Sequence, residues 1–274
     1  MALYTKFLQS FKLVLAWSIL LMLVPVDQAI SQQMSNARWL ADRAPSIVAR
    51  NRTYRPSQLI DQTLPSLTLF QLEEATRLTN YFRDERPDLA FGFSLDGCSQ
   101  RAYMIGWTLA KNNMSSVRVW IRTLEENKRL KNPNGTGNWV FHTAIVIAVQ
   151  TGQGRNSLPE LYVIDPAIPP GLQTLDQWKN KLLEDHPEMR HTVTFHPYND
   201  FFGPSGMSNE VRNFQSALFQ SGISRESLDF EHALKTLNFY RRALESRNLE
   251  QGVCHECYNY TDEDIREIRR RQNR

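Results

Sequence analysis

Apolar and polar positions switch between two periods along this chain, and the switches mark out its elements. Leu69, Leu72, Ala75, Leu78, Tyr81 and Phe82 recur at three- and four-residue steps. That is one apolar stripe, and it predicts a helix over residues 68–84. Thr68-x-x-Gln71 resembles a capping box at its start. Ala102, Ile105 and Leu109 repeat the helical spacing and predict a second helix over 98–113. From 117 to 124 the period falls to two, which is a half-buried strand. Trp120 then shares the polar face with Arg118 and Arg122, where it reads as a packed surface side chain in preference to the lining of a substrate groove. Residues 139–146, 161–165 and 191–196 also read as strands. Helical spacing returns at 174–185, through Leu175, Trp178 and Leu182, and again over 209–220, 224–247 and 261–271. The last of these carries acids first and arginines last, which suits a solvated surface helix.

The turn chemistry agrees with this order. Asn132 to Asn138 and Gly152 to Asn156 are clusters of turn residues that separate successive strands. Gly152-x-Gly154 lacks the further glycine and the Lys-Ser/Thr of a phosphate loop. Strands in the middle and helices at both ends predict an α+β fold, a short antiparallel sheet with the 98–113 helix packed against it.

The N-terminal pattern is of another kind. Lys6 and Lys12 precede an apolar run over 13–24, and Ala29 and Ser31 follow as small residues two apart. A basic region, an apolar region and an Ala-x-Ser site make residues 1–31 a signal peptide rather than part of the fold. The run is shorter than the roughly 20 residues a membrane span needs. The mature chain is therefore expected to be secreted or periplasmic, with no membrane association after cleavage. Residues 32–64 hold Arg38, Arg43, Arg50, Arg52 and Arg55 among scattered prolines, with a short helix near 34–43 and extended chain beyond it. They read as an N-terminal arm or propeptide, or as an exposed linker. A catalytic domain over 65–205 and a C-terminal helical extension over 206–274 complete the expected division.

Candidate chemistry centres on Asp96-Gly97-Cys98-Ser99-Gln100-Arg101-Ala102. Cys98 falls at the start of the 98–113 helix, where unpaired N–H groups and the dipole favour an anion and so a thiolate. Gly97 permits the sharp turn before it. An isolated cysteine is more often a small buried hydrophobe. Here, however, His142 and Asp165 follow on successive strands. Cysteine on a helix start, then histidine, then aspartate is the order of a papain-like or transglutaminase-like triad.

Asp-Gly-Cys-x-x-Arg-Ala at 96–102, Trp-x-x-His-x-Ala at 139–144 and Val-Ile-Asp-Pro at 163–166 together resemble the bacterial protein-glutaminase family. The resemblance spans about Phe91 to Pro166. It implies a papain/transglutaminase-like fold and deamidation of glutamine side chains in proteins. It implies Cys98 as nucleophile, His142 as base and acid, and Asp165 as the group that orients His142. It also implies synthesis as a zymogen, which favours the propeptide reading of 32–64. The same triad serves transglutaminases and cysteine proteases, and a secreted binding module can keep the fold without the chemistry.

Composition narrows the rest. The 274 residues are 41% hydrophobic and 22% charged, ordinary globular values, and the formal net charge is only +3. The arginine-rich C-terminus has no interleaved aromatics, so no nucleic-acid partner is expected. The expected partner is a protein or peptide with an accessible glutamine, and no oligomeric state is assigned. Of the three cysteines, Cys254 and Cys257 form Cys-His-Glu-Cys. In an oxidising compartment they can close a disulfide and leave Cys98 free; two unpaired thiols is the other reading. A zinc site needs four ligands, and no second ligand pair is present, so neither metal nor cofactor is expected.

Overall fold

The computed structural model of the protein describes residues 52–133, 139–152, 158–200, 223–247, 254 and 262–272. All of them fall within the unit Ile47–Arg274. The expected signal peptide at 1–31 and the helices expected at 34–43 and 209–220 lie outside the described residues.

The fold is α+β. In chain order the strands and helices are β1 (Thr53–Tyr54), β2 (Leu67–Gln71), α1 (Leu72–Asp84), α2 (Cys98–Lys111), β3 (Val117–Thr123), β4 (Phe141–Gln150), β5 (Glu160–Ile164), β6 (Leu172–Thr174), α3 (Leu175–Leu182), β7 (His191–Pro197), α4 (Arg225–Glu245) and α5 (Asp262–Gln272). The sheet has seven strands and is larger than the short one expected. Strand β4 is its spine. Along one edge β4 pairs antiparallel with β3 and then, beyond Val146, parallel with β2. Along the other it pairs antiparallel with β5, which pairs with β6. Strand β7 closes the far side of β3.

The first helix starts later than its apolar stripe suggests. Residues 67–71 are strand, because Leu67 and Phe70 fill the core and Thr68 N–H bonds to the Ser115 carbonyl. The reciprocal cap moves with it: Glu74 Oε2 accepts the Gln71 N–H at 2.9 Å. Periodicity cannot separate a short apolar strand from the helix that follows, and here tertiary pairing decides. Helix α3 obeys its local signal. Thr174 Oγ1 accepts from Gln177 N–H, and Gln177 Oε1 accepts from Thr174 N–H, a complete capping box.

Strand β3 departs from the half-buried reading. Trp120 is not on the surface but 3% exposed, and Arg118 is fully buried. The polar face of the alternation is covered, because α2 packs over β3 and β4. Arg118 satisfies this burial by donating to the carbonyls of Ser99, in the first turn of α2, and Asp200. Gly106 permits the close approach on another side of α2. A Cβ there would stand 2.6 Å from Tyr198 Cβ.

The principal core joins the inward side chains of β3, β4 and β5 to Leu59, Leu64, Ile168, Trp178 and Leu182. Residues 53–64 are thus packed rather than draped: β1 pairs with β2, and Arg55 donates to the carbonyls of Asp61 and Leu64. The expected boundary of the arm at 64 does not coincide with a break in packing.

Candidate active site

Three elements deliver the three candidate residues. Cys98 is the first residue of α2, and Gly97 before it has φ +94°, a conformation that glycine adopts without strain. His142 is the second residue of β4 and pairs with Ile121 of β3. Asp165 leaves the end of β5. The register Ile145↔Ile164 puts Asp165 level with Ala144, two residues from His142 along the same face.

The side chains meet as this register requires. His142 Nε2 and Asp165 Oδ2 are 2.7 Å apart, and both residues are almost wholly buried. The other ring nitrogen, Nδ1, is buried and has no partner at hydrogen-bond geometry. Cys98, a free thiol, is close enough to interact with the ring. Cys98 and Asp165 also line one small cavity with Phe91, Arg101, Ala102 and Thr143. The structure therefore brings Cys98, His142 and Asp165 to one place.

Burial by itself would lower the His142 pKa. The charge and hydrogen bond of Asp165, and then Cys98, outweigh it and raise the pKa to about 9. Asp165 moves the other way. Burial pushes its pKa up, but the His142 charge and hydrogen bond, the Trp178 hydrogen bond and the Arg101 charge hold it below the ordinary carboxylate value. These shifts favour an imidazolium against a carboxylate, with Cys98 beside the pair.

Several supporting residues were not legible as such. Trp178, read only as part of a core stripe, donates from Nε1 to Asp165 Oδ2 at 2.8 Å, and the Ala167 N–H donates to Oδ1 at 3.2 Å. Trp139 stacks on the His142 ring at 4.3 Å with 7° between planes. Its own Nε1 donates to the Ser94 carbonyl, and a backbone bridge between Trp139 and Leu130 fixes it there. Trp139 stood in the quoted Trp-x-x-His motif, so a signal existed for it. Arg101 is 4% exposed and donates to the Ala90 and Phe93 carbonyls, tying the incoming loop to α2. Among the described residues no three His, Cys, Asp or Glu side chains are grouped to hold a metal. Cys254 is disulfide-bonded, and Cys257 lies outside the described residues.

Residues 67–182 match the family described as Glutaminase. The match includes Cys98, His142 and Asp165 and supports the protein-glutaminase family read from the three motifs, and with it an amide hydrolase. Among solved structures, the chain is similar to a protein-glutaminase from Chryseobacterium proteolyticum determined by NMR. The identity is 18%, covering 60% of this chain and 88% of that one, with a TM-score of 0.42. It is also similar to a crystal structure of pro-protein-glutaminase, at 16% identity over 72% of this chain and 66% of that one, with a TM-score of 0.43. No curated protein matches the sequence.

Proposed function

We propose that this protein hydrolyses the side-chain amide of glutamine in protein substrates, giving glutamate and ammonia, with Cys98, His142 and Asp165 as its catalytic residues. The observation that carries the reading is the buried His142–Asp165 hydrogen bond through Nε2. It leaves Nδ1, which has no partner at hydrogen-bond geometry among the described residues, as the ring nitrogen to exchange a proton with Cys98, a free cysteine at a helix start.

His142 is held as imidazolium at neutral pH by Asp165, and its charge stabilises a Cys98 thiolate. The thiolate attacks the carboxamide carbon, a C–S bond forms, and the C=O electron pair moves onto oxygen. The backbone N–H of Cys98, without an acceptor of its own inside the helix, is one donor to that oxyanion. Collapse breaks the C–N bond, and His142 Nδ1–H protonates the departing amine. The neutral imidazole then takes a proton from water, and the hydroxide attacks the thioester. The C–S bond breaks, glutamate leaves, and the thiolate–imidazolium pair is restored. Asp165 orients the ring throughout and balances its charge, while Trp139 restrains its plane. No step needs a metal or cofactor.

The basic, apolar and small-residue pattern of 1–31 supports export, and no described helix is long and apolar enough to cross a membrane. The proposed substrate is therefore an extracellular or periplasmic protein with an accessible glutamine. The deciding experiment incubates the protein with a glutamine-containing protein and no added amine. Ammonia release with a matching Gln-to-Glu mass change is expected. Release only when an amine is added would make the protein a transglutaminase, and new peptide termini would make it a protease. No product of any kind would leave a binding module.

A further inference from the structure

The loop that presents Cys98 is held from two sides. From inside α2, Arg101 Nη1 donates to the carbonyls of Ala90 and Phe93. From outside comes Tyr240, on α4, a residue far beyond the family-matched segment 67–182. Tyr240 is fully buried. Its ring stacks on Phe93 at 4.2 Å and 12°, and its hydroxyl donates to Asp96 Oδ2 at 2.5 Å. That is the length of a charge-assisted O–H···O⁻ bond. The Cys254 N–H bonds to the same hydroxyl.

Gly97 threads between these two holds. A Cβ on Gly97 would stand 2.9 Å from Arg101 Nη1 and 3.1 Å from two Tyr240 ring carbons. The direction in which the chain enters α2, and so the position of the sulfur, is set by how Arg101 and Tyr240 close on Gly97. We infer that Tyr240 is a positioning residue for Cys98: its bond to Asp96 fixes the turn at Gly97, so the working site extends into α4. The inference rests on Cys98 being the nucleophile of the proposed deamidation. The physical basis is distance tolerance, since a displacement of about 1 Å at reacting atoms can cost on the order of 10²-fold in rate.

The test uses the full chain and two readouts, ammonia release from a glutamine-containing protein and the pH profile of Cys98 alkylation by iodoacetamide. Tyr240→Phe keeps the stack on Phe93 and the wall beside Gly97, and removes only the hydroxyl. We expect kcat to fall by about tenfold or more with KM little changed. The alkylation profile should shift away from that of the unaltered protein. Asp96→Ala should reproduce both effects, and Asp96→Asn, which keeps an acceptor oxygen, should recover most of the loss. The double variant Tyr240→Phe/Asp96→Ala should be no worse than either single one, as two ends of one bond require. Normal kcat and a normal alkylation profile in folded Tyr240→Phe overturn the inference. So do losses that multiply in the double variant. If Tyr240→Phe does not fold, Asp96→Ala against Asp96→Asn decides by the same measures. Should the unaltered protein release no ammonia, the deamidation reading fails, while the alkylation profiles still decide the role of Tyr240.

Discussion

At the residue scale the site consists of one strong pair and one neighbour. The buried His142–Asp165 contact makes a pH prediction whose direction is fixed. The fold raises the His142 pKa from 6.5 to about 9, so the stability this pair contributes is complete below about pH 6.5 and lost as pH rises through about 9. Asp165 is depressed, so its contribution is present above the ordinary carboxylate pKa and is lost in acid as pH falls below it. Ammonia release should follow the upper limb, falling as His142 deprotonates near pH 9, and a pH–rate profile checks it. A rate that keeps rising beyond pH 10 would contradict an imidazolium donor. Cys98→Ala should remove turnover and leave the fold intact, and His142→Ala should cost nearly as much, because nucleophile and base act as a unit. Asp165→Asn should cost less, since an amide still reaches the ring, as in papain-like sites. Trp178→Phe keeps the ring in the core but deletes a donor to a buried carboxylate. It should destabilise the protein by about 1.5–3 kcal/mol in urea titration, the range for hydrogen bonds to charged groups.

At the scale of elements, the difference between what was legible and what was not is the difference between local and distant contacts. Cys98, His142 and Asp165 could be proposed together from the sequence because each stands in a local pattern: a glycine turn before a helix, a run that reads as a strand, and the close of another such run. Helix α3 could be read because its cap is three residues long. The strand at 67–71 could not, since its state depends on pairing with β4 about eighty positions away in the chain, and its apolar residues also fit the helical stripe. Arg118 looked solvated because alternation says nothing of a helix lying over the polar face. The N-terminal arm tests the same point. Leu59 and Leu64 are 2% and 3% exposed in the principal core. Burying a leucine contributes about 1.5–3 kcal/mol. A protein shortened to begin at Pro65 should therefore lose several kcal/mol and populate unfolded forms. One beginning at Arg52 should melt close to the full chain. If residues before 52 restrain activity, only the Arg52 form will show a gain in ammonia release without a loss of melting temperature. Equal stability of the Pro65 form would mean that the packing of 53–64 contributes little.

At the scale of the whole molecule, the chemistry and its support come from different parts of the chain. The family-matched segment ends at residue 182, yet α4 covers the side of α2 turned away from the sheet. Trp107 packs on Phe230 at 4.7 Å, Phe93 stacks on Tyr240, and the Tyr103 hydroxyl donates to the Glu226 carbonyl. Helix α2 is buried nearly all round because two layers enclose it. A C-terminal extension that merely followed the catalytic domain would leave this second side to water. A protein ending at Asp200 should consequently expose Phe93, Tyr103 and Trp107 together, a patch of the kind that soluble monomers avoid. It should bind a hydrophobic dye, associate in gel filtration and lose ammonia release. Adding residues 201–274 as a separate polypeptide should restore activity only if α4 can dock again onto α2. The opposite outcome, a monodisperse and active 1–200 protein, would show that the sheet and α2 suffice. Residues 201–274 would then be an accessory to a site complete without them, and the support given by Tyr240 would be dispensable as well.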